Sequence, residues 1–511
     1  MQMLKIKVNR LLNKLSFFSV FALLTLEVVA DEGSVRTKPN IVFIVADDLG
    51  WQDVGFMGSQ YFETPHPDSL AEDGLVMENV FMYPTCSPSR AALLTGRQSF
   101  RTGCYTVPVL EKGNNKDNIF SKWTVGEEHP VYSQPLNEAG YKLIHLGKWH
   151  IVGPHPKSET KLPFSKKLSQ PKKGNLSWLA KHQSPELQKY YPLGRGFHEN
   201  VGGTWWGDPS RGYEKGYAEP GGGYRAPFKN PFITDKDDDE WLTDRLTTDA
   251  ISFMERHKSE PFFVNLNYYS PHRPTVSRSK ESLEHFMQKP ADTQTGQGEG
   301  KQRKNIAAYA TMVKSIDDNV KRITDYLDEA GLRENTLIIF TSDNGFNAHQ
   351  SVNKNLRKAK GSVYDGGLRV PALMNCPKLI SPMRSDVVVQ GLDFFPTFLE
   401  LANVDGYDAV LDGESLVPLM KGEPLPKRSI FWHIASTYKD PACSMIRRGD
   451  WKLIQYLKRG NIELYNTRDD QQESHNLAKK DRERAQVMLK ELVQWRIENK
   501  VPLPPSSELE F

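Results

Sequence analysis

Cysteine is scarce. The chain of 511 residues has four, at positions 86, 104, 376 and 443, too few for a scaffold built on disulfides, and if one of them is modified at most one internal disulfide remains. Charge of one sign is absent as well. Sixty-six basic against 63 acidic side chains leave a net +3, so net charge supplies no argument for a nucleic acid or a membrane surface as partner, although local clusters still attract anions. There is no internal repeat. Beyond the first thirty residues no stretch approaches the ~20 apolar residues of a membrane span, so stable membrane insertion is not expected. What remains is a chain with 38% hydrophobic residues, long enough to bury a large core and to divide into two or more units.

Residues 1–30 combine Lys5, Lys7, Arg10 and Lys14 with an apolar run from Leu15 to Leu26 and the small-residue exit Val28-Val29-Ala30. The pattern predicts a signal peptide cleaved after Ala30, and with it a secreted or periplasmic protein. The alternative, an uncleaved anchor, is disfavoured by the shortness of the run and by Ser19, Thr25 and Glu27. No cysteine near the cleavage point offers a site for lipid attachment.

Asn40-Ile41-Val42-Phe43-Ile44-Val45-Ala46 is a continuous apolar, β-branched run, the pattern of a strand buried on both faces. Asp47 and Asp48 leave its end. Adjacent carboxylates there repel unless a cation lies between them, and oxygen-only ligands point to Ca2+ or Mg2+; the plainer alternative is a helix cap and a solvated loop acid. A second such strand, Thr336 to Thr341, runs into Ser342-Asp343-Asn344-Gly345. Strand ends on one edge of an open α/β sheet converge on a crevice, so the two pairs meet there.

Between them stands Pro84-Thr85-Cys86-Ser87-Pro88-Ser89-Arg90, continuing to Leu94-Thr95-Gly96-Arg97. Pro88 suits the first position of a helix and Gly96 its stop, so a short helix begins at the cysteine; its free N–H groups, with Arg90 one turn along, would face an anion beside Cys86. A structural disulfide, for example with Cys104, is the alternative role for Cys86. Lys142 to Leu146 reads as another strand, ending in Gly147-Lys148-Trp149-His150, and on an extended chain Lys148 and His150 project the same way. Pro261 to Asn267 is a further strand, followed by Ser270-Pro271-His272-Arg273-Pro274, where flanking prolines hold the histidine rigidly.

Cys-x-Pro-Ser-Arg, Gly-Lys-Trp-His, the Asp-Asp and Asp-Asn pairs, Leu193-Gly194-Arg195-Gly196-Phe197 and the run Lys360-Gly361-Ser362-Val363-Tyr364-Asp365-Gly366-Gly367-Leu368-Arg369-Val370-Pro371 together resemble the type I, formylglycine-dependent sulfatases of the alkaline phosphatase superfamily. The resemblance runs from about Lys38 to the C-terminal helix and is weakest over 154–245. It implies an α/β fold, a large mixed sheet sandwiched by helices plus a smaller antiparallel sheet with a helix. It also implies that Cys86 is oxidised to formylglycine (3-oxoalanine) by a formylglycine-generating or anaerobic sulfatase-maturing enzyme, and that one hydroxyl of the hydrated aldehyde attacks sulfur to form a covalent sulfate ester. One Ca2+ (Mg2+ less readily) would be held by Asp47, Asp48, Asp343, Asn344 and the modified Cys86. By the same resemblance Lys148, Lys360 and Arg90 neutralise the sulfate, Asp343 takes the proton of the attacking hydroxyl, His272 or Lys360 protonates the departing oxygen, and His150 takes the second hydroxyl's proton so that sulfate leaves. Asp365 stands where the family more often has Glu.

Residues 154–245 read as an excursion over the active-site face: basic from Lys157 to Lys173, acidic at Asp237-Asp238-Asp239-Glu240, with Trp205, Trp206, Tyr213, Tyr217 and Tyr224 either stacking on sugar rings or packing the excursion down. Lys289 to Lys304 reads as a loop, and Tyr309 to Leu327 keeps helical spacing with Gly331 as its stop. Beyond Lys421, short strands precede a helix with Ala485, Met488, Leu492 and Trp495 on one face. The expected organisation is a catalytic domain over 31–420 and a C-terminal α+β subdomain over 421–511. The expected activity is hydrolysis of sulfate esters of a sulfated carbohydrate. The alternatives are a phosphodiesterase or phosphonate hydrolase of the same superfamily, and a non-catalytic carbohydrate-binding protein.

Overall fold

The run after Pro39 forms strand β1 (Asn40–Ala46), and every one of its residues is buried. Its alternate side chains enter different layers, as the two-residue period of a strand requires. Val42, Ile44 and Ala46 join a cluster with Leu246, Phe253, Tyr309 and Ile316, while Ile41, Phe43 and Val45 meet Leu93, Leu94, Phe394 and Phe398. The first layer is built by helices 242–256 and 300–329, the second by helices 86–95 and 394–401. These are α2 (Leu242–Arg256), α3 (Gly300–Glu329), α1 (Cys86–Thr95) and α4 (Phe394–Leu401). The computed structural model describes residues 38–153, 188–209, 223–228, 230, 232–290, 300–351, 355–507 and 509; the expected signal segment, the basic run, Tyr213 and Tyr217 lie outside them.

The remaining strands of the large sheet are β2 (Leu75–Phe81), β3 (Lys142–Gly147), β4 (Glu199–Val201), β5 (Phe262–Asn267), β6 (Thr336–Ser342), β7 (Arg369–Val370), β8 (Ala372–Asn375) and β9 (Met383–Gln390). Their order is β4-β3-β5-β1-β6-β8-β2-β7, with β9 beside β2. From β4 to β6 the pairing is parallel, and β8 runs antiparallel to both its neighbours, so the sheet is mixed. The parallel part matters most for chemistry, because β1, β3, β5 and β6 all end on one edge. Helix α3 starts at Gly300, inside the stretch expected as a loop. Lys301, Gln302 and Lys304 there are exposed, and as good helix formers they extend the amphipathic pattern that begins in earnest at Ile306.

The second sheet is antiparallel, in the order β10 (Ser429–Ile434), β11 (Cys443–Arg448), β12 (Trp451–Tyr456), β13 (Ile462–Asn466). Helix α5 (Arg482–Glu498) covers one face, with Ala485, Met488 and Leu492 against Ile446, Leu453 and Leu464. Trp495, expected on the same face, is half-buried and stacks on Phe431 with ring centroids 4.7 Å apart. The opposite face, with Trp432 and Met445, packs on Phe81, Tyr83 and Leu368 beside the large sheet.

A buried ion cluster crosses that boundary. Asp365 accepts from Arg447 at 3.0 Å and from Lys452 at 2.8 Å, and Lys452 also donates to Glu473 at 2.7 Å. Burial pushes the Glu473 carboxyl up to about 7, although Lys452 opposes the shift. The folded state therefore holds a proton there that the unfolded chain gives up above the ordinary glutamate range, so this group's contribution to stability falls as pH rises from about 4.5 to about 7. Glu473→Gln is expected to flatten that part of the profile; thermal midpoints across the window, compared with the parent chain, check it.

Among the described residues all four cysteines are free and buried, so the disulfide alternative for Cys86 is not formed. No described helix is long and apolar enough to cross a membrane.

Candidate active site

Four strand ends and one helix start deliver the residues. Asp47 and Asp48 follow β1, Asp343 and Asn344 follow β6, Lys148 and His150 follow β3, and His272 follows β5; Cys86 begins α1, and Lys360 reaches in from the turn before β7. All of these, with Arg90, are buried. Pro88 occupies the third position of α1, still within the first turn where its missing N–H costs no helical bond, and Gly96 ends the helix at φ 63°. The chain after β3 is not extended. Gly147 lies so close to Asn267 that a Cβ would stand 1.9 Å from that carbonyl oxygen, and His150 adopts φ 56°. The extended segment on which that alternation was expected is therefore not formed, although Lys148 still lies close enough to act on His150. His150 lies against Gly207, and its Nδ1 is buried without a hydrogen-bond partner among the described residues. Asp48, at φ 66°, is a second non-glycine residue held in the left-handed region, a conformation that persists where surrounding structure enforces it.

The charges interlock. Lys148 Nζ donates to Asp47 Oδ2 at 2.6 Å. Lys360 Nζ donates to Asp48 Oδ1 and, at 3.0 Å, to Cys86 Sγ; that sulfur lies 3.8 Å from Asp47 Oδ1. Arg90 donates through Nε to Asp343 Oδ2 at 2.9 Å and through Nη1 to the Lys148 carbonyl at 2.8 Å. Burial pushes the Cys86 thiol up to about 11, with the two lysines opposing. Burial likewise pushes Asp47 up to about 8 against Lys148, and Asp343 and Asp48 add to the rise. Burial acts to raise Asp48 too, but Lys360, His272 and Lys148 outweigh it and hold that carboxyl below its usual range. Both histidines are kept neutral, His150 by burial and Lys148, His272 by burial against the pull of Asp48.

These residues fit a divalent cation. Asp47, Asp48, Cys86 and His272 each offer a ligand atom, all within 4.8 Å of one another. Asp48 Oδ2 and Asn344 Oδ1 are buried acceptors with no hydrogen-bond partner among the described residues, a costly state for oxygens unless something positive meets them. Asn344 is turned for this purpose, since its Nδ2 donates to Asp48 Oδ1 at 2.8 Å. Asp343 is more occupied than its neighbours: one oxygen accepts from the Asp48 N–H at 3.2 Å and the other from Arg90. His272 Nε2 stands 3.7 Å from Asp48 Oδ2, and Nδ1 contacts the Arg273 carbonyl at 2.8 Å. A carbonyl only accepts, so Nδ1 carries the proton of the neutral ring and Nε2 is left as an acceptor.

Two supporting groups escaped the sequence reading. Arg90 Nη1 also donates to Asn267 Oδ1, Asn267 donates to Asn265, and Asn265 Nδ2 donates to His145 Nδ1, whose Nε2–H donates to the Gly147 carbonyl. This chain ties Arg90 to the turn that carries Lys148. The available signal was two asparagines and a histidine inside buried strands, which require buried partners. The second group is Asp365 with Arg447, Lys452 and Glu473, which braces the Lys360 turn. The tryptophans of the excursion are packing residues, Trp205 and Trp206 being 7% and 4% exposed. Tyr224 is buried as well and donates to the carbonyls of Tyr269 and His272, so it holds the His272 loop and presents no free ring to a sugar.

A mixed sheet of this order, with carboxylates, lysines and a cysteine gathered at its strand ends, is that of a hydrolase of the alkaline phosphatase-like fold. The chain belongs to the sulfatase family and is a sulfuric ester hydrolase: the family model described as Sulfatase matches residues 39–404, and that described as N-sulphoglucosamine sulphohydrolase, C-terminal, matches 358–499. A sulfatase from Formosa agariphila is 26% identical over 96% of this chain and 95% of its own length. The N-acetylgalactosamine-6-sulfatase of Canis lupus familiaris is 30% identical, with 78% of this chain and 69% of that protein covered. Among solved structures, Ps i-CgsB in complex with k-i-k-neocarrahexaose superposes with a TM-score of 0.68 at 29% identity, covering 93% of this chain and 95% of that one.

Proposed function

We propose that the protein is a formylglycine-dependent sulfatase that removes sulfate from a sulfated carbohydrate. The observation that carries the reading is the placement of Cys86 at the start of α1, where Lys360 touches its sulfur and Asp47 lies beside it. Relatives whose names carry a sugar, the N-acetylgalactosamine-6-sulfatase and the complex with k-i-k-neocarrahexaose, support carbohydrate as the substrate class.

In this reading the aldehyde at position 86 supplies, once hydrated, the oxygen nucleophile. Asp47, Asp48, Asp343, Asn344 and the modified residue 86 would hold a Ca2+, which would supply fixed positive charge to the sulfate. Lys148 and Lys360 bind the sulfate oxygens, and Arg90 keeps Asp343 and the Lys148 turn in place while adding a third positive charge. Neutral His150, whose Nδ1 has no hydrogen-bond partner among the described residues, is available to take a proton from position 86. Because the Nδ1–H of His272 is engaged by the Arg273 carbonyl, Lys360 is the better-placed proton donor to the departing alcohol, and His272 orients the site as an acceptor.

The test is peptide mass spectrometry of the chain co-produced with a formylglycine-generating enzyme, with elemental analysis of bound calcium on the same sample. Replacement of the Cys86 thiol by the aldehyde or its hydrate, together with sulfate release from sulfated oligosaccharides, is the expected result. An unmodified Cys86 under conditions that convert a control sulfatase would overturn it.

A further inference from the structure

The C-terminal sheet brings a cationic, aromatic patch up to the Lys360 turn that the chemistry above does not use. Residues 435–440, leaving β10, are pinned from two sides. Ile119 N donates to the Ala435 carbonyl at 2.8 Å, Lys112 N to the Thr437 carbonyl at 2.8 Å, and Thr437 N to Asn118 Oδ1 at 2.6 Å. Asp440 is buried and accepts from Ser362 Oγ, from Val363 N at 3.0 Å and from Lys358, residues that flank the turn. The loop held in this way presents Tyr438, half-buried, with an exposed lysine on each side. Lys112 Nζ lies 5.7 Å and Lys439 Nζ 5.9 Å from the centre of its ring.

The patch abuts the catalytic turn directly. At Gly361, the residue after Lys360, an added Cβ would stand 2.4 Å from Tyr438 Cε1 and 3.2 Å from the Lys439 side chain, so only glycine admits the ring there. Among the described residues no ion pair engages Lys112 or Lys439, whereas the neighbouring Lys358 and Lys458 are paired with Asp440 and Asp117. Lys439 is within electrostatic reach of the reaction centre: burial first, then Lys360, lower its pKa, and Asp48 and Asp440 act the other way. Two ammoniums with no ion pair among the described residues, around one aromatic face on a rigid loop, suit a ring-shaped ligand that carries an anion.

We propose that Lys112, Tyr438 and Lys439 form a subsite for a second anionic group of the substrate, a sulfate or carboxylate on a sugar neighbouring the one that bears the scissile ester. The inference rests on the carbohydrate sulfatase reading for its ligand class. Tyr438 supplies the face against which the sugar ring lies, and the lysines meet the anion, so binding weakens with salt.

Calorimetric titration of the full chain carrying Cys86→Ala with a heparin tetrasaccharide, and with the same saccharide after desulfation, tests it without relying on turnover. Adding Lys112→Ala and Lys439→Ala is expected to weaken binding of the sulfated probe about tenfold, and Tyr438→Ala about fivefold, with the desulfated probe indifferent to all three. A loss no larger than that caused by the distant exposed pair Lys301→Ala and Lys304→Ala would overturn the proposal, as would absence of binding by the parent. In the Cys86-intact chain the lysine pair is expected to lower kcat/KM on the doubly sulfated saccharide about tenfold, mainly through KM. If the intact chain releases no sulfate from any probe but the lysine pair still costs binding, the sulfatase reading fails and the subsite stands.

Discussion

Cys86→Ala is expected to abolish sulfate release, lowering kcat by at least about 10^4-fold, the scale seen when a covalent nucleophile is deleted, while the thermal midpoint stays near that of the parent. The two readouts separate because of where the sulfur sits. Its removal takes one buried atom from the first turn of α1, a helix otherwise held by Leu93 and Leu94 in the large core, so the fold loses little. The turn still keeps its salt link from Lys360 to Asp48, and α1 still ends at Gly96 with its backbone bond to Ala92. Chemistry loses everything that needs a reacting atom at position 86. Retained turnover in this variant, measured as free sulfate, would sink the proposed mechanism, and a collapse of both activity and stability would mean that the sulfur's main role is packing.

Lys452→Met is expected to cost about 3–5 kcal/mol of stability, the range for breaking a buried ion pair from one side. Lys452 is the shared partner of Asp365 and Glu473, and all three side chains are at most 1% exposed. Methionine fills the volume but leaves two carboxylates facing each other, with only Arg447 to answer Asp365. Denaturant midpoints measure the loss. Because removing both ends of a buried pair is gentler than removing one, Glu473→Gln in the Lys452→Met background is expected to recover part of it. Asp365 sits five residues after Lys360, and its backbone N–H donates to Glu473 at 2.7 Å, so the same variant is also expected to lower kcat through a displaced Lys360. Equal stability of Lys452→Met and the parent would show that the cluster is not what clamps the small sheet to the catalytic turn.

The sequence carried the outline of the candidate site because each residue of it is announced locally. A strand buried on both faces is an apolar, β-branched run, and polar residues at its exit stand out against it: Asp47-Asp48 after Ala46, Asp343-Asn344 after Ser342, His272 after the Asn267 strand. A cysteine at a helix start, bracketed by Pro88 and Gly96, is equally local. The small antiparallel sheet follows from the same patterns, as short strands separated by turn residues, whereas the mixed large sheet came from the family resemblance. What the local pattern does not contain is direction after the strand ends. The chain through Lys148 and His150 reads as extended, but Gly147 passes the Asn267 carbonyl and His150 adopts φ 56°, a constraint imposed by a strand more than a hundred positions away.

The sequence by itself marked the candidate polar side chains and placed the strands carrying them on one sheet edge, because burial and periodicity are written residue by residue. Only the tertiary structure decided how those side chains pair. Lys148 with Asp47, Lys360 with Asp48 and Cys86, Arg90 with Asp343 and Asn267, and Tyr438 against Gly361 are contacts between segments with no sequence relation, chosen by packing and by the need of each buried charge for a partner. It likewise decided that Trp205, Trp206 and Tyr224 are walls, since an aromatic residue reads the same in sequence whether it meets a sugar or a core, and only the space around it tells them apart.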